Sequence, residues 1–186
     1  MVAAKAEFTE HGYAGARLNR IATDANASKE RLYSYFNSKQ QLFEAVVAQW
    51  INDAPHQKPL SAADVPGYVV GLFDNIIADP DGARLQRWIE LEAPEGMFED
   101  HLVRRVFRAK LDEIGRGQDA GLIDPSWRPM DLLVLLDEAA YSLAVGGFGI
   151  HRVMGEPLPA ESVAARREAA AEAARRLVGS RTSDAG

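Results

Sequence analysis

Residues 28–43 read SKERLYSYFNSKQQLF, and this stretch decides the fold of the front of the chain. Ser28 is a residue type that caps helix N-termini well. Leu32 and Phe36 lie four residues apart, the spacing of neighbours on one helix face, while the positions between and before them are mostly polar. The stretch therefore predicts a short helix over residues 29–36 that buries one narrow face and leaves its polar faces outside.

A second short helix precedes this one. Residues 17–25 place Leu18, Ile21 and Ala22 on one helix face. Asn26 follows, and asparagine tolerates the left-handed backbone that a tight turn between helices needs. Two short helices joined by a tight turn, the second with a polar outer face, are typical of a helix-turn-helix. By spacing alone, a helical hairpin of another kind of bundle fits equally well.

Further helices lie on either side of this pair. Ser38 and Gln41 form a capping box, so a longer helix is predicted to begin there, and Leu42 starts its apolar face. In front, Gly12 is predicted to end a first helix over residues 2–11, because glycine accepts the conformation that follows a helix C-terminus.

Composition sets the class of protein. The chain has 186 residues, of which 47% are hydrophobic, 8% aromatic and 26% charged, with a net charge of −6. It has no cysteine, which excludes disulfides and a cysteine nucleophile. No apolar run approaches the roughly 18 residues that span a bilayer, and the charged N-terminus does not resemble a signal peptide. No alternating β-branched run predicts a strand. We expect an all-α protein of about nine helices, located in the cytoplasm and not in a membrane.

The residues offer little for catalysis or metal binding. The four histidines are scattered and lack metal-ligand spacing. Glu99, Asp100 and His101 are consecutive, so on a helix they point in different directions. No G-x-S-x-G, P-loop or G-x-G-x-x-G motif is present. We therefore expect neither an enzyme nor a metal or other cofactor.

Prolines and charge divide the chain. A polar segment with two prolines, 52–60, predicts a boundary between a domain over residues 1–50 and one over residues 51–180, with a disordered tail over 181–186. The first 50 residues carry six basic and five acidic side chains, whereas the remainder carries 15 and 22. Any nucleic-acid binding must therefore be local to the front domain.

The same residues carry a family resemblance. Gly12-Tyr13, Ile21-Ala22, Ala27-Ser28-Lys29 and above all LYSYFNSKQQLF (residues 32–43) resemble the DNA-binding domain of the TetR family of transcriptional regulators. The resemblance covers about 45 residues without a gap. It implies that the helix over 29–36 enters the major groove of double-stranded operator DNA.

The resemblance also implies contacts. Lys29 and Arg31 are the candidates for base edges or adjacent phosphates, and Tyr33 and Lys39 for phosphates. The full set of expected DNA-binding residues is Arg17, Ser28, Lys29, Glu30, Arg31, Tyr33, Ser34 and Lys39. We expect Tyr35 to pack between the first and fourth helices, with a phosphate contact through its hydroxyl as the alternative. We expect Arg20 to be a solvated charge.

The sequence departs from the family pattern at three places. Ala16 stands where the family usually has a threonine or serine that caps the second helix, a loss of about 1 kcal/mol. Asn26-Ala27 replaces a usual Gly-Val in the turn. Glu30 replaces a small residue, and its carboxylate can accept a hydrogen bond from a cytosine N4. The first helix is also short for the family, and the sequence does not tell whether an N-terminal segment is missing.

In the back domain, two helices over about 130–152 and 161–178 occupy the place of the family's dimerisation helices. The first is apolar nearly all round, which plain core packing of a monomer also explains. Helices over about 62–78, 80–93 and 98–120 are expected to hold an effector pocket. Its candidate lining residues are Tyr68, Phe73, Trp88, Leu91, Met97, Phe98, Phe107, Leu111 and Tyr141. Four acidic residues that can favour a cationic ligand are Asp74, Glu90, Glu92 and Asp137.

The resulting hypothesis is a homodimeric DNA-binding regulator, a repressor that a small hydrophobic ligand releases from its operator. The alternative is a helical interaction and dimerisation module that does not bind DNA. The sequence identifies neither the operator, the effector nor the regulated genes, and it does not distinguish repression from activation.

Overall fold

The computed structural model describes residues 1–53, 58–93, 97, 102–146, 153–155 and 162–179. Across these residues the chain forms nine α-helices and no strand, which confirms the predicted all-α class. The helices are α1 (Val2–Gly15), α2 (Leu18–Asp24), α3 (Lys29–Tyr35), α4 (Lys39–Asp53), α5 (Val65–Ala78), α6 (Pro80–Glu92), α7 (Leu102–Asp119), α8 (Pro129–Val145) and α9 (Ser162–Val178).

The chain folds into two compact units. The first comprises Met1–Pro55 and Asp79–Arg105, and the second comprises His56–Ala78 and Val106–Gly186. The first unit is larger than the domain expected over residues 1–50, because α6 returns to pack on α1. The expected tail, 181–186, lies outside the described residues.

Helix ends lie where the sequence supplies the required chemistry. Gly12 has φ 71° and kinks α1, which continues to Gly15 instead of ending at residue 11 as expected. Asp79 caps α6, its Oδ1 accepting a hydrogen bond from the Gly82 amide at 2.9 Å. Helix α8 ends at Val145 and is followed by Gly146, which has the left-handed φ of 83°. The helix was expected to continue to about residue 152, but residues 147–152 lie outside the described part of the chain.

The core of the first unit joins α1, α4 and α6. Phe8 and Phe43 are fully buried, and their rings meet edge to face with centroids 4.8 Å apart. Ile21 of α2 and Leu85 of α6 belong to the same apolar cluster. An edge-to-face pair adds about 0.5–1.5 kcal/mol to the burial of its rings. Helix α3 packs against this core through Leu32, and Phe36 directly after the helix packs against it as well.

Helix α6 approaches α1 so closely that a glycine is needed. The Trp88 indole donates to the Thr9 carbonyl oxygen at 3.0 Å, and Glu92 Oε2 accepts from the Ala14 amide at 2.9 Å. A Cβ at Gly12 would lie 2.6 Å from Glu92 Oε2 and 2.9 Å from Trp88 Cε3. Gly12 therefore serves both the backbone conformation and the packing.

The second unit has its own core between α5, α8 and α9. Phe73, Leu132 and Leu136 have no exposed side-chain surface there. Arg166 of α9 donates to the carbonyl oxygens of Leu143 and Ala144 at 2.8 and 2.9 Å, which satisfies the C-terminal end of α8. The two helices are thus fixed to each other by both apolar packing and hydrogen bonds.

Candidate nucleic-acid interface

The turn between α2 and α3 sets the orientation of α3. Asn26 adopts φ 50°, the left-handed conformation expected of it. The Ala27 amide donates to the Ala22 carbonyl oxygen at 2.9 Å and closes the end of α2. Ser28 Oγ accepts from the Arg31 amide at 3.1 Å, which confirms the predicted N-cap of α3. Each step of the turn is therefore specified by a local residue.

Helix α3 presents most of its surface to solvent. None of its residues is buried, and Leu32 is the half-buried residue that attaches it to the core of the first unit. Tyr33 is 44% exposed and Tyr35 is 68% exposed. The expectation that Tyr35 packs between helices is therefore wrong: Leu32 and Phe36 occupy the inward face of α3, and Tyr35 lies beside it.

The exposed face of α3 combines cationic and hydrogen-bonding groups. The Lys29 ammonium lies 5.8 Å from the centre of the Tyr33 ring, one helical turn away. Ser34 Oγ donates to the Arg31 carbonyl oxygen at 2.7 Å. Hydrogen bonds from its own backbone amide and from Ser28 hold the pKa of Glu30 below its ordinary value, so Glu30 is ionised at neutral pH. The face therefore offers two cations, one carboxylate and several hydroxyls to a groove.

Lys39 has a structural role beside its expected phosphate contact. Its ammonium donates to the carbonyl oxygens of Ala14 and Ala16 at 3.2 and 3.3 Å. It also lies 4.8 Å from the centre of the Tyr13 ring. Lys39 thus fixes the start of α4 to the end of α1, and its third N–H remains available to an anion.

A buried carboxylate, which the sequence reasoning missed, supports α2. Glu7 Oε1 accepts from the Arg17 amide at 2.7 Å and from Arg20 Nε at 2.8 Å. Burial raises the pKa of Glu7, but these hydrogen bonds outweigh it and hold that pKa below its ordinary value. The expectation that Arg20 is a solvated charge is therefore wrong. A carboxylate at the N-terminus of α2 compensates for the hydroxyl cap that Ala16 cannot provide.

Asp79 joins three helices of the first unit. Besides capping α6, its Oδ2 accepts from Lys5 of α1 at 3.0 Å and from the Trp50 indole of α4 at 3.2 Å. A displacement of α6 would therefore be passed to both α1 and α4.

Three of the expected pocket residues lie in the first unit. The Trp88 indole is used in the packing of α6 on α1, and Met97 is buried in the core of this unit. Leu91 is 75% exposed. Phe98 lies outside the described residues.

The other expected pocket residues lie in the second unit. Tyr68 and Phe73 are buried in its core, and Leu111 is half-buried against it. Phe107 is 44% exposed, and Tyr141 is half-buried. These five residues therefore remain candidates for an effector site.

The four acidic candidates are all engaged. Asp74 forms a two-pronged ion pair with Arg167, Glu90 pairs with Arg87, Glu92 accepts from the Ala14 amide, and Asp137 accepts from the Tyr68 hydroxyl. The sequence reasoning missed Lys110, which lies close to Tyr68, Phe107 and Asp137. A signal was present: Lys110 lies between Phe107 and Ile114 at helical spacing, a cation on an apolar face.

Among the described residues, no group of three or more His, Cys, Asp or Glu side chains could hold a metal ion. No helix in the described part of the chain is long and apolar enough to cross a membrane.

Two protein-family models together match most of the chain. The family model described as bacterial regulatory proteins, tetR family, matches residues 1–46, and the one described as tetracyclin repressor-like, C-terminal domain, matches residues 64–176. The HTH-type transcriptional repressor SCO4008 of Streptomyces coelicolor is 35% identical over 135 residues, 72% of this chain and 70% of that protein.

Solved structures have the same fold. The crystal structure of the transcriptional regulator SCO4942 of Streptomyces coelicolor is similar to this chain, with 38% identity and a TM-score of 0.77, over 95% of this chain and 94% of that chain. A TetR family protein from Vibrio parahaemolyticus is 21% identical with a TM-score of 0.64, over 92% and 94% of the two chains, and shows the fold alone.

Proposed function

Since the chain belongs to the TetR family and is a DNA-binding transcriptional regulator, we propose that it acts as a homodimeric repressor, in the cytoplasm, and that a small hydrophobic ligand releases it from its operator. The alternative of an interaction module without DNA binding does not fit this family.

The exposed face of α3 carries the DNA-binding proposal. The major groove of DNA is wide enough for one α-helix. Helix α3 has no buried residue, and Lys29 and Arg31 are exposed on it. Arg31 is our candidate for a bidentate contact to a guanine, with Glu30 and Ser34 as further readers. Lys39, Tyr33 and Arg17 are assigned to phosphates. Ser28 contributes through the cap that fixes the helix.

Exposed apolar side chains on α8 support the dimer. Met130, Val134 and Val145 are 51%, 53% and 44% exposed, and they follow one another at helical spacing. They are exposed, whereas Leu133 and Leu136 of the same helix are buried in the second unit. A dimer covers such a stripe and places two copies of α3 on successive major grooves, about 34 Å apart.

DNA binding is tested by fluorescence anisotropy on the DNA upstream of the chain's own gene, with a scrambled fragment beside it. Arg31→Ala is expected to weaken selective binding at least tenfold, since each bidentate base contact contributes about 1–3 kcal/mol. Arg116→Ala is the matched control, because Arg116 is an exposed arginine on α7 of the second unit, outside the proposed DNA and dimer surfaces. Equal effects of the two variants would contradict the assignment.

The dimer is tested by sedimentation. Val134→Asp places a charge in the proposed interface and is expected to give monomers with weak DNA binding. Leu91→Asp is the control, because Leu91 is equally apolar and 75% exposed but lies on α6. A dimeric Val134→Asp variant would refute this interface.

Release is proposed to pass through α6. The bonds from Asp79 to Lys5 and Trp50 connect α6 with α1 and α4, so a ligand that displaces α6 would tilt α3. A ligand shifts this equilibrium only by its different affinity for the two states. Equal operator affinity with and without a bound effector would refute the proposed release.

A further inference from the structure

A lysine lies in the interior of the second unit. The Lys110 side chain is only 15% exposed, and its ammonium lies 5.2 Å from the ring centres of both Tyr68 and Phe107. Its counter-charge is Asp137, whose Oδ2 is 4.0 Å from Lys110 Nζ. This distance is too long for a hydrogen bond, which needs about 2.7–3.2 Å.

Asp137 is engaged elsewhere. The Tyr68 hydroxyl donates to Asp137 Oδ1 at 2.7 Å, and Tyr68 is itself fully buried. Burial and the neighbouring carboxylate both raise the pKa of Tyr68, so the phenol keeps its proton and remains a donor to Asp137. The carboxylate is therefore oriented by Tyr68 rather than by the lysine.

The groups that lack partners here are donors. Among the described residues, Lys110 Nζ makes no hydrogen bond although it carries three N–H groups. Asn75 Nδ2 is a second buried donor without a partner. Asn75 follows Tyr68 by seven residues on α5, two helical turns along the same face. Donors that face the interior without acceptors call for a molecule that brings acceptor oxygens.

A purely structural ion pair explains the cluster less well. A buried pair is favourable only when its geometry is good and its remaining hydrogen-bonding groups are satisfied. Here the separation is 4.0 Å. Burial lowers the pKa of Lys110, and the attraction of Asp137 opposes this only in part, so the charge is incompletely compensated. An apolar residue would serve the core better than this lysine does.

We propose that Lys110 receives the carboxylate of a small hydrophobic acid, whose apolar body lies against Phe107. This inference rests on the proposed function, since it names the chemical class of the effector. It reverses the expectation from sequence that acidic residues favour a cationic ligand: Asp137 is paired with Tyr68, and the lysine beside it supplies the unsatisfied charge.

The test compares probes that differ only in their head group. Naphthoate, naphthylmethanol and naphthylmethylamine share one ring system, and decanoate, decanol and decylamine share one chain. Binding to the full-length protein without DNA is measured by calorimetry and by the rise in melting temperature. Operator release is measured separately by anisotropy, so a failure of this site can be told apart from a failure of the proposed repressor function.

Three variants identify the responsible group. Lys110→Met keeps the length of the side chain and removes the charge, and we expect it to weaken acid binding at least about tenfold. Asp137→Asn removes the competing carboxylate, and we expect it to bind acids at least as tightly as the unmodified protein. Lys58→Met is the matched control, because Lys58 is an exposed lysine of the same unit.

Each outcome of this experiment either supports or contradicts the proposal. Acids that bind more tightly than their alcohols and amines, and that lose this advantage only in Lys110→Met, support the proposal. Amines that bind best and lose binding in Asp137→Asn would overturn it, as would the absence of binding by both acids. If Lys110→Met does not fold, the response of Asp137→Asn still decides between the two charges. Acid binding without operator release would leave this site standing and refute the proposed induction.

Discussion

Replacing Gly12 by alanine tests whether α6 is locked onto the DNA-binding helices in the way the structure indicates. Gly12 has φ 71° and ψ 179°, a region of backbone conformation that residues with a side chain rarely adopt. Its missing Cβ would also lie within 2.9 Å of the Trp88 ring. Gly12→Ala therefore combines backbone strain with overpacking at one position.

The two costs can be estimated. The strained backbone contributes about 1–3 kcal/mol. Overpacking contributes about 1–3 kcal/mol more, because the Trp88 ring is held by its hydrogen bond to Thr9 and cannot simply turn away. We expect a total loss of about 2–6 kcal/mol. For a chain of this length, this corresponds to a melting temperature lower by roughly 4–24 °C.

The assay is urea unfolding followed by tryptophan fluorescence, since Trp88 itself packs against the mutated position. Gly15→Ala is the matched control in the same helix. Gly15 has no positive φ, and its Cβ would meet only His11 Cβ at 3.4 Å, an ordinary contact. We expect Gly15→Ala to be neutral or to stabilise by about 0.5–1 kcal/mol.

One result would refute this reasoning. If Gly12→Ala unfolds at the same urea concentration as Gly15→Ala, then neither the backbone strain nor the contact with Trp88 limits this position. The claim that α6 is rigidly attached to α1 would fall with it.

Three further predictions follow from the first unit. Because the pKa of Glu7 is lower in the folded protein than its ordinary value of 4.5, its ion pair stabilises the fold at pH values above 4.5, and this stabilisation is lost as the pH falls through the lower folded-state pKa. Glu7→Gln is therefore expected to flatten the acid side of a plot of melting temperature against pH. An unchanged acid side would contradict this prediction. Lys39→Ala is expected to lower both the melting temperature and operator affinity, whereas a loss of affinity alone would show that its bonds to Ala14 and Ala16 carry no stability. Asn26→Gly is expected to be neutral and Asn26→Val to cost about 1–3 kcal/mol in urea unfolding, because φ is 50°; equal stabilities would refute the assigned turn.

Local patterns were sufficient to predict the DNA-binding helices. The backbone conformations of Gly12 and Asn26, and the helix cap formed by Ser28, depend mainly on residues that are close in the chain. Such local features can be predicted from the sequence. The packing of α6 could not be predicted in this way, because the Trp88 bond to Thr9 spans 79 residues. No periodicity specifies which distant helix will cover α1.

Charged residues were the harder part of the candidate sites. The ion pair between Glu7 and Arg20 could not be predicted from the sequence, because the two residues lie 13 positions apart on different helices. Lys110 was overlooked because a charged residue is expected at a surface. Its burial depends on how α7 packs against Tyr68 and Asp137, 42 residues before it and 27 residues after it in the chain. Only three-dimensional contacts reveal such groups.

Selection from a random library of double-stranded DNA tests the central claim most directly, because it assumes no operator. The protein and its Arg31→Ala variant are carried through the same rounds of enrichment. We predict that the unmodified protein enriches an inverted repeat whose half-sites lie about one helical turn apart. We predict that Arg31→Ala loses the preference at one position of each half-site. The absence of any enriched sequence with the unmodified protein would contradict the claim that α3 reads operator DNA.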